Sequence, residues 1–144
     1  MSFALVTAQM LLIAVLAWPS SVPALEARSL IGALLILGAI ALALWALAAM
    51  RLHTFSVMPE PVAGARLCQR GPYARIRHPM YCAVLAGGAG ALLIWPVTWK
   101  LIAWILLGIV LAMKIRREER LLMTVYADYA SYRERTHALF PGLL

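Results

Sequence analysis

Residues 30–50 read LIGALLILGAIALALWALAAM, an uncharged run of 21 residues that decides the class of fold. A helix that crosses the hydrocarbon core of a bilayer needs about 20 predominantly apolar residues. The run has this length, and Arg51 ends it with a charge. The stretch therefore predicts a membrane-spanning helix over residues 30–50.

Three further apolar stretches predict helices on either side of this run. Residues 3–18 are uncharged, and a cleaved signal peptide is disfavoured because its basic n-region is missing. Residues 80–95 and 101–115 are separated by a short loop, which predicts an antiparallel helical hairpin. Within 80–95, the run GGAG at 87–90 is typical of close helix packing, with ligand approach as the alternative. The last stretch is short for a span, so its helix must tilt little, borrow flanking residues or continue beyond the membrane surface.

The composition supports an all-α, polytopic membrane protein. Apolar residues make up 64% of the 144 residues and charged residues 13%, against about 45–50% and about 25% in soluble proteins. The sequence predicts a single domain over residues 1–144, with about four transmembrane helices and a C-terminal helical hairpin. Two cysteines exclude a disulfide-stapled scaffold, and neither Cys68 nor Cys82 has metal-ligand partners at zinc spacing.

The basic residues predict the orientation of the chain. The loop 19–29 holds one basic residue, Arg28, and the loop 95–100 holds one, Lys100. The loop 51–79 and the tail from residue 114 hold the other eleven Lys and Arg residues. The positive-inside rule then places both termini and the 51–79 loop in the cytoplasm, and the compact size favours a prokaryotic inner membrane. A net charge of +7 would indicate nucleic acid in a soluble protein, but with this apolar excess the expected partner is the lipid bilayer.

Two polar motifs on the cytoplasmic side could carry chemistry. Pro79 suits the first turn of a helix, which places Arg77 and His78 at an N-terminal end that attracts anions. The alternative for these residues is a topology anchor that contacts lipid phosphate. Glu118 and Glu119 are adjacent on the expected continuation of the fourth helix. They form either a solvated charge run with weak local ion pairs or a carboxylate that turns inward to hold a cationic group.

Taken together, these motifs resemble one enzyme family. The pattern is Gly71-Pro72-Tyr73-x3-Arg77-His78-Pro79-x-Tyr81, a helical hairpin, Glu118-Glu119-x-x-Leu122, Tyr129-x-x-Tyr132-x-x-Arg135 and a late Pro141. Over residues 64–141 it is similar to the isoprenylcysteine carboxyl methyltransferase and phospholipid methyltransferase family of integral membrane enzymes. The first two helices match this family only in being apolar.

The resemblance implies methyl transfer from S-adenosyl-L-methionine, which would lie under cytoplasmic cofactor-binding loops beside the hairpin. The cofactor carboxylate is expected near the start of the third helix, and its ammonium or ribose near the twin glutamates. The implied cofactor-binding positions are Ala65, Arg66, Leu67, Cys68, Tyr73, His78, Pro79, Met80, Tyr81, Glu118 and Glu119.

Transfer from a sulfonium needs a nucleophile held in line in a dry site, and little acid–base machinery. Arg77 and Arg117 are the candidate catalytic residues, as groups that would hold an anionic acceptor. The acceptor is expected to be hydrophobic or amphipathic and to enter from lipid. Two alternatives stay open: a membrane reductase on a related scaffold that uses NADPH, and a non-enzymatic helical membrane subunit. A pore is not expected, because the polar residues in the spans lie near helix ends: Thr7, Gln9 and Ser29.

Overall fold

The structure is a computed structural model and describes residues 2–20, 26–50 and 67–140. Within these ranges the chain forms five α-helices, one 3-10 turn and no β-strand. The helices are α1 (Ser2–Ala17), α2 (Ala27–Met50), α3 (Pro79–Ile94), α4 (Thr98–Val125) and α5 (Tyr129–Glu134), with the 3-10 turn at Gly71–Ala74. The all-α prediction is confirmed for this part of the chain.

Prolines set several of the helix ends. Trp18 and Trp95 each precede a proline, and the residue before a proline is disfavoured in the helical conformation. Accordingly α1 ends at Ala17 and α3 at Ile94. Pro79 occupies the first position of α3, where its missing N–H removes no helical hydrogen bond. These ends agree with the sequence prediction to within one residue.

The helix α4 is longer than the predicted span over 101–115. It begins at Thr98 and continues to Val125, so it both borrows flanking residues and extends past the apolar stretch. Glu118 and Glu119 consequently lie on the same rigid helix as the apolar residues that precede them. The helix α2 likewise begins at Ala27, three residues before the predicted start of its span.

Two of the described helices, α2 and α4, are long and apolar enough to cross a membrane, while α1 and α3 are apolar but shorter. The helix α2 exposes a row of large apolar side chains that would be unfavourable in water. Such a surface is typical of a helix that faces lipid. Its members are Leu30, Ile31, Leu34, Leu35, Leu37, Ile40, Leu44 and Trp45.

The main packing partners are α2 with α3 and α1 with α4, while α3 also contacts α1 and α4. The predicted hairpin of α3 and α4 therefore exists, although each helix has a different principal neighbour. Gly90 of α3 faces Gly32 of α2 so closely that a Cβ on either would lie 2.6 Å from the carbonyl oxygen of the other. Gly88 lies against Trp104 of α4. The run GGAG thus serves close helix packing, as its composition predicts.

Most of the described charged residues lie at one end of the bundle, which we call the site end. The helices α1 and α3 begin at this end, and α2 and α4 reach it with their C-terminal parts. The 3-10 turn docks there on the last turns of α2. Gly71 has a φ of +58°, and a Cβ at this position would lie 2.9 Å from the Cβ of Ala49. The opposite end, at the connection between α3 and α4, is called the far end.

Candidate functional site

The start of α3 is held by the C-terminal segment, defined as residues 136–139. The backbone N–H groups of Arg77 and His78 donate to the carbonyl oxygens of His137 at 2.8 Å and Ala138 at 3.1 Å. Ala138 is buried in a cluster that includes side chains of α3 and α4. The two residues of the predicted corner are therefore fixed from both the N-terminal side and the C-terminal segment.

The guanidinium of Arg77 joins three elements of the site end. Its Nε donates to Glu119 Oε1 at 2.7 Å, and its Nη1 donates to the carbonyl oxygens of Arg133, at 3.1 Å, and of Thr136. The side chain is only 6% exposed. Arg77 therefore connects α4 with the end of α5 and with the C-terminal segment. By donating to the carbonyl oxygen of Arg133, its guanidinium also satisfies one of the last carbonyl groups of α5.

The imidazole of His78 lies between the two glutamates. Its Nδ1 is 3.3 Å from Glu118 Oε2, and its Nε2 is 3.6 Å from Glu119 Oε1. Its ring stacks on Tyr81, whose hydroxyl donates to Glu118 Oε1. Burial by itself lowers the pKa of His78, but the proximity and negative charge of the two carboxylates outweigh this, so the pKa is raised above 6.5. The site thus favours the imidazolium form.

Arg77, His78, Glu118 and Glu119 together form what we call the ion cluster. Two cations face two carboxylates, and the side chains are between 6% and 16% exposed. Charges as buried as these are tolerated only when they are paired and hydrogen-bonded. The predicted corner at the start of the third helix and the twin glutamates, which are about forty positions apart in the sequence, are in direct contact.

Two buried polar atoms at the ion cluster have no hydrogen-bond partner in the part of the chain that the structure describes. They are Nε2 of His78 and the hydroxyl oxygen of Tyr129. The distance of 3.6 Å from Nε2 to Glu119 is too long for a hydrogen bond. Because buried polar groups are nearly always bonded, two exceptions at one cluster mark a position suited to a polar ligand.

A second layer connects the 3-10 turn to α5 and α2. The hydroxyl of Tyr132 donates to the carbonyl oxygen of Tyr73 at 2.6 Å, and the hydroxyl of Tyr73 donates to Met50 Sδ at 3.5 Å. Burial raises the pKa of Tyr132 to about 12 and also raises that of Tyr73, so both hydroxyls stay protonated. The Sγ of Cys68 donates to the carbonyl oxygen of Ala49 at 3.4 Å. The predicted positions Cys68 and Tyr73 thus lie at the end of α2.

The remaining predicted site residues flank these contacts. Pro79 is buried in the first turn of α3, and the half-buried residues are Leu67, Met80 and Arg117. Ala65 and Arg66 lie outside the described residues. The ligand-binding roles of all these positions stay predictions.

Sequence reasoning missed a buried polar contact just below the ion cluster. The Nζ of Lys114 donates to Gln9 Oε1 at 2.6 Å and lies 5.1 Å from the centre of the Tyr81 ring. Lys114 is 1% exposed and Gln9 6%. The available signal was an ionisable residue at the end of an apolar run, since such residues in membrane helices usually have a functional partner. Gln9 also shows that α1 reaches the site end.

These features define a class of protein: a small, mainly helical protein with two helices that could cross a membrane and with most of its described charged residues at one end of the bundle. Over residues 2–20, 26–50 and 67–140, no group of three or more His, Cys, Asp or Glu side chains could hold a metal ion. The family model described as phospholipid methyltransferase matches residues 27–129, more than two thirds of the chain. The chain therefore belongs to the phospholipid methyltransferase family. The match confirms the resemblance over residues 64–129 and extends it to α2, and it ends before Tyr132, Arg135 and Pro141.

The chain is also similar in sequence to a curated protein, the cobalt-zinc-cadmium resistance protein CzcN of Cupriavidus metallidurans. The two sequences are 36% identical over 83 residues, which cover 54% of this chain and 36% of the relative. The chain thus spans little more than a third of the length of that protein.

Proposed function

We propose that this protein transfers a methyl group from S-adenosyl-L-methionine to an amphipathic or lipid-like acceptor at the cytoplasmic face of a membrane. Membership of the phospholipid methyltransferase family supports methyl transfer in a membrane. The observation that carries the site assignment is that Nε2 of His78, within the ion cluster, has no hydrogen-bond partner among the described residues. A buried donor without a partner is costly unless a ligand satisfies it.

The donor set of the ion cluster fits the amino-acid end of the cofactor, which carries one ammonium and one carboxylate. Both oxygens of Glu119 face permanent cations, Oε1 the guanidinium of Arg77 at 2.7 Å and Oε2 that of Arg133 at 3.6 Å. Glu118 is held by the Tyr81 hydroxyl and by His78, and we assign it to the ammonium. The N–H at Nε2 of His78 would donate to the carboxylate. Charge-assisted hydrogen bonds of this kind are about twice as strong as neutral ones.

The contacts of Arg77 favour a positioning role over direct acceptor binding. Its Nε and Nη1 already donate to Glu119 and to two backbone carbonyls. Arg117, half-buried on α4 just before the glutamates, is then the better candidate to hold an anionic acceptor.

When bound, S-adenosyl-L-methionine supplies a methyl group that its sulfonium has already activated. The chain's own residues therefore bind, orient and exclude water. The side chains of the ion cluster are at most 16% exposed, and a site this dry favours a transition state in which charge is dispersed. The long apolar face of α2 supports entry of an acceptor tail from lipid.

We further propose that all four helices α1 to α4 cross the membrane and that the site end faces the cytoplasm. The excess of Arg and Lys in the loop 51–79 and after residue 114 supports this orientation. The 16 residues of α1 and of α3 extend about 24 Å, so these helices need flanking residues or a locally thinner bilayer. A reporter fused after Leu144 should report a cytoplasmic location, and a periplasmic signal would contradict the four-span topology.

The test of function is calorimetry on the purified, detergent-solubilised protein with S-adenosylhomocysteine and, separately, with NADPH. We expect micromolar binding of S-adenosylhomocysteine, lost in Glu118→Gln and His78→Asn. The matched control is Glu26→Gln, because Glu26 is an exposed carboxylate that pairs with Arg28 at the start of α2. Binding of NADPH alone would favour a reductase, and binding of neither would favour a non-enzymatic subunit.

The acceptor can be sought by incubating the protein with lipid extracts and a cofactor carrying a radiolabelled methyl group. Label is expected in the lipid fraction with the wild type and not with Glu118→Gln. Label confined to water-soluble products would contradict a lipid-like acceptor.

A further inference from the structure

We propose that the hydroxyl of Tyr129 is a further cofactor contact, which acts with Nε2 of His78 to bind the carboxylate of the cofactor's amino-acid end. This inference rests on the proposed function and deepens it. It gives a ligand-binding role to α5, a short helix that carries none of the cofactor positions implied by the sequence.

Tyr129 and Tyr132 lie one turn apart in α5 and offer an internal comparison. They are equally buried, at 1% and 2% exposure, and their rings meet edge to face with centroids 5.9 Å apart. The hydroxyl of Tyr132 donates to the carbonyl oxygen of Tyr73 at 2.6 Å. The hydroxyl of Tyr129 has no partner among the described residues. Among the described residues, the hydroxyl of Tyr132 therefore has a partner and the hydroxyl of Tyr129 has none.

The unpaired hydroxyl is unfavourable in the ligand-free protein. A phenylalanine would fill the same space without a buried polar atom, and burying a hydroxyl without a partner destabilises a fold. Departures from the ordinary rules of polar satisfaction are expected where a protein binds its ligand. Because no described residue bonds to it, a ligand would give the hydroxyl of Tyr129 a favourable interaction.

The surroundings of Tyr129 determine which partner fits. Burial raises the pKa of Tyr129, and the charge of Glu119 raises it further, so the hydroxyl keeps its proton and can donate. The positive charges of Arg77 and Arg133 also act on this group. His78, the other orphaned group, is held in its donating form by the glutamates. Glu119 also lies here, but Arg77 and Arg133 both face its carboxylate, at 2.7 Å and 3.6 Å, so together with His78 the cations outnumber it. Two donors in these surroundings match an anionic oxygen, and the carboxylate is the anionic group of the cofactor.

The experiment compares Tyr129→Phe with the wild type for two ligands. S-adenosylhomocysteine carries the amino-acid end, and 5′-methylthioadenosine has the adenosyl part without it. We expect the dissociation constant for S-adenosylhomocysteine to rise about tenfold in Tyr129→Phe, and that for 5′-methylthioadenosine to stay unchanged. We also expect the melting temperature of the ligand-free variant in detergent to rise by about 3 °C, because an unsatisfied hydroxyl is removed.

The matched control is Tyr132→Phe, which removes a bonded hydroxyl from the same helix. It should lower the melting temperature and leave the ratio of the two affinities as in the wild type. A Tyr129→Phe protein that binds S-adenosylhomocysteine like the wild type would overturn the inference and indicate that only water occupies the position. Equal weakening of both ligands would overturn the assignment to the carboxylate. A wild type that binds neither ligand would overturn the proposed function itself, so the two failures are distinguishable.

Discussion

The two ends of the helix bundle each bury one lysine of α4 against α1, but they satisfy it in different ways. At the far end, Nζ of Lys100 donates to the carbonyl oxygens of Leu16, at 3.1 Å, and Trp18, at 2.7 Å. The same ammonium lies 4.4 Å from the centre of the Trp95 ring. This arrangement caps the end of α1 and encloses the charge between backbone oxygens and an aromatic face.

At the site end, Lys114 bonds to the side chain of Gln9 and lies under Tyr81, next to the ion cluster. The two lysines are 14 residues apart on α4, or about 21 Å. The ammonium of Lys100 is satisfied by two carbonyl oxygens, and at its end of the bundle the one buried side-chain atom without a described partner is the hydroxyl oxygen of Ser29. Beside Lys114, both the Nε2 of His78 and the hydroxyl of Tyr129 have no partner among the described residues. A buried charge alone therefore does not identify a site, whereas two buried polar atoms without a described partner beside one charge cluster indicate one.

The largest expected effect comes from breaking the ion cluster at Arg77. The variant Arg77→Met leaves the carboxylate of Glu119 buried without its main partner and releases the C-terminal segment. Removing one partner of a buried pair lowers stability by about 3–5 kcal/mol. We expect a large fall in the melting temperature in detergent and loss of S-adenosylhomocysteine binding.

The double variant Arg77→Met with Glu119→Gln serves as the control for charge. It should recover part of the lost stability, because the unpaired carboxylate is gone, without recovering ligand binding. A single Arg77→Met protein that melts like the wild type would show that the ion cluster does not stabilise the site end.

The second prediction tests the two lysines against each other. Lys100→Met and Lys114→Met each remove an ammonium that bonds to α1, and we expect each to lower stability by about 1–3 kcal/mol. Only Lys114→Met should also weaken the binding of S-adenosylhomocysteine, by several-fold. The reason is that the ammonium of Lys114 lies under the ring of Tyr81 and supports this tyrosine, whose hydroxyl holds Glu118. Calorimetry and thermal melting of both variants check this. Equal effects of the two variants on binding would remove the distinction between the two ends.

Much of the fold follows from the sequence because helix formation in this chain depends on local signals. The apolar run 30–50, and the prolines that follow Trp18 and Trp95, give helices whose ends differ from the prediction by one to three residues. The extent of α4 is the exception. The Arg, Glu and Leu residues after Lys114 are good helix formers. The helix therefore continues to Val125, although the span predicted from the apolar stretch ends at residue 115.

The site was accessible to sequence reasoning only in part. The corner at Arg77 and His78 and the twin glutamates follow a pattern with a fixed order, and the structure brings them into contact. The C-terminal segment gave no signal, because its role depends on backbone hydrogen bonds across about sixty residues. The same holds for Gln9, which meets Lys114 only through the packing of α1 on α4.

The smallest expected effect is the dependence of folding stability on pH at the site end. The pKa of His78 in the folded protein is raised above 6.5 by Glu118 and Glu119, with Arg77 and Tyr81 as the other neighbouring groups. A raised pKa means that the protonated ring stabilises the fold fully below about pH 6.5 and that this contribution is lost as the pH rises through the folded pKa.

We therefore expect the melting temperature of the wild type in detergent to fall as the pH rises from about 6 to about 9. This fall should be smaller than the one that either lysine substitution causes at constant pH. The dependence on pH should be weaker in His78→Asn. His137 is exposed, so His137→Asn is the matched control and should keep the slope. A slope unchanged in His78→Asn would mean that the imidazole does not carry its charge between the glutamates, and the assignment of its Nε2 as a donor to the cofactor would fail with it.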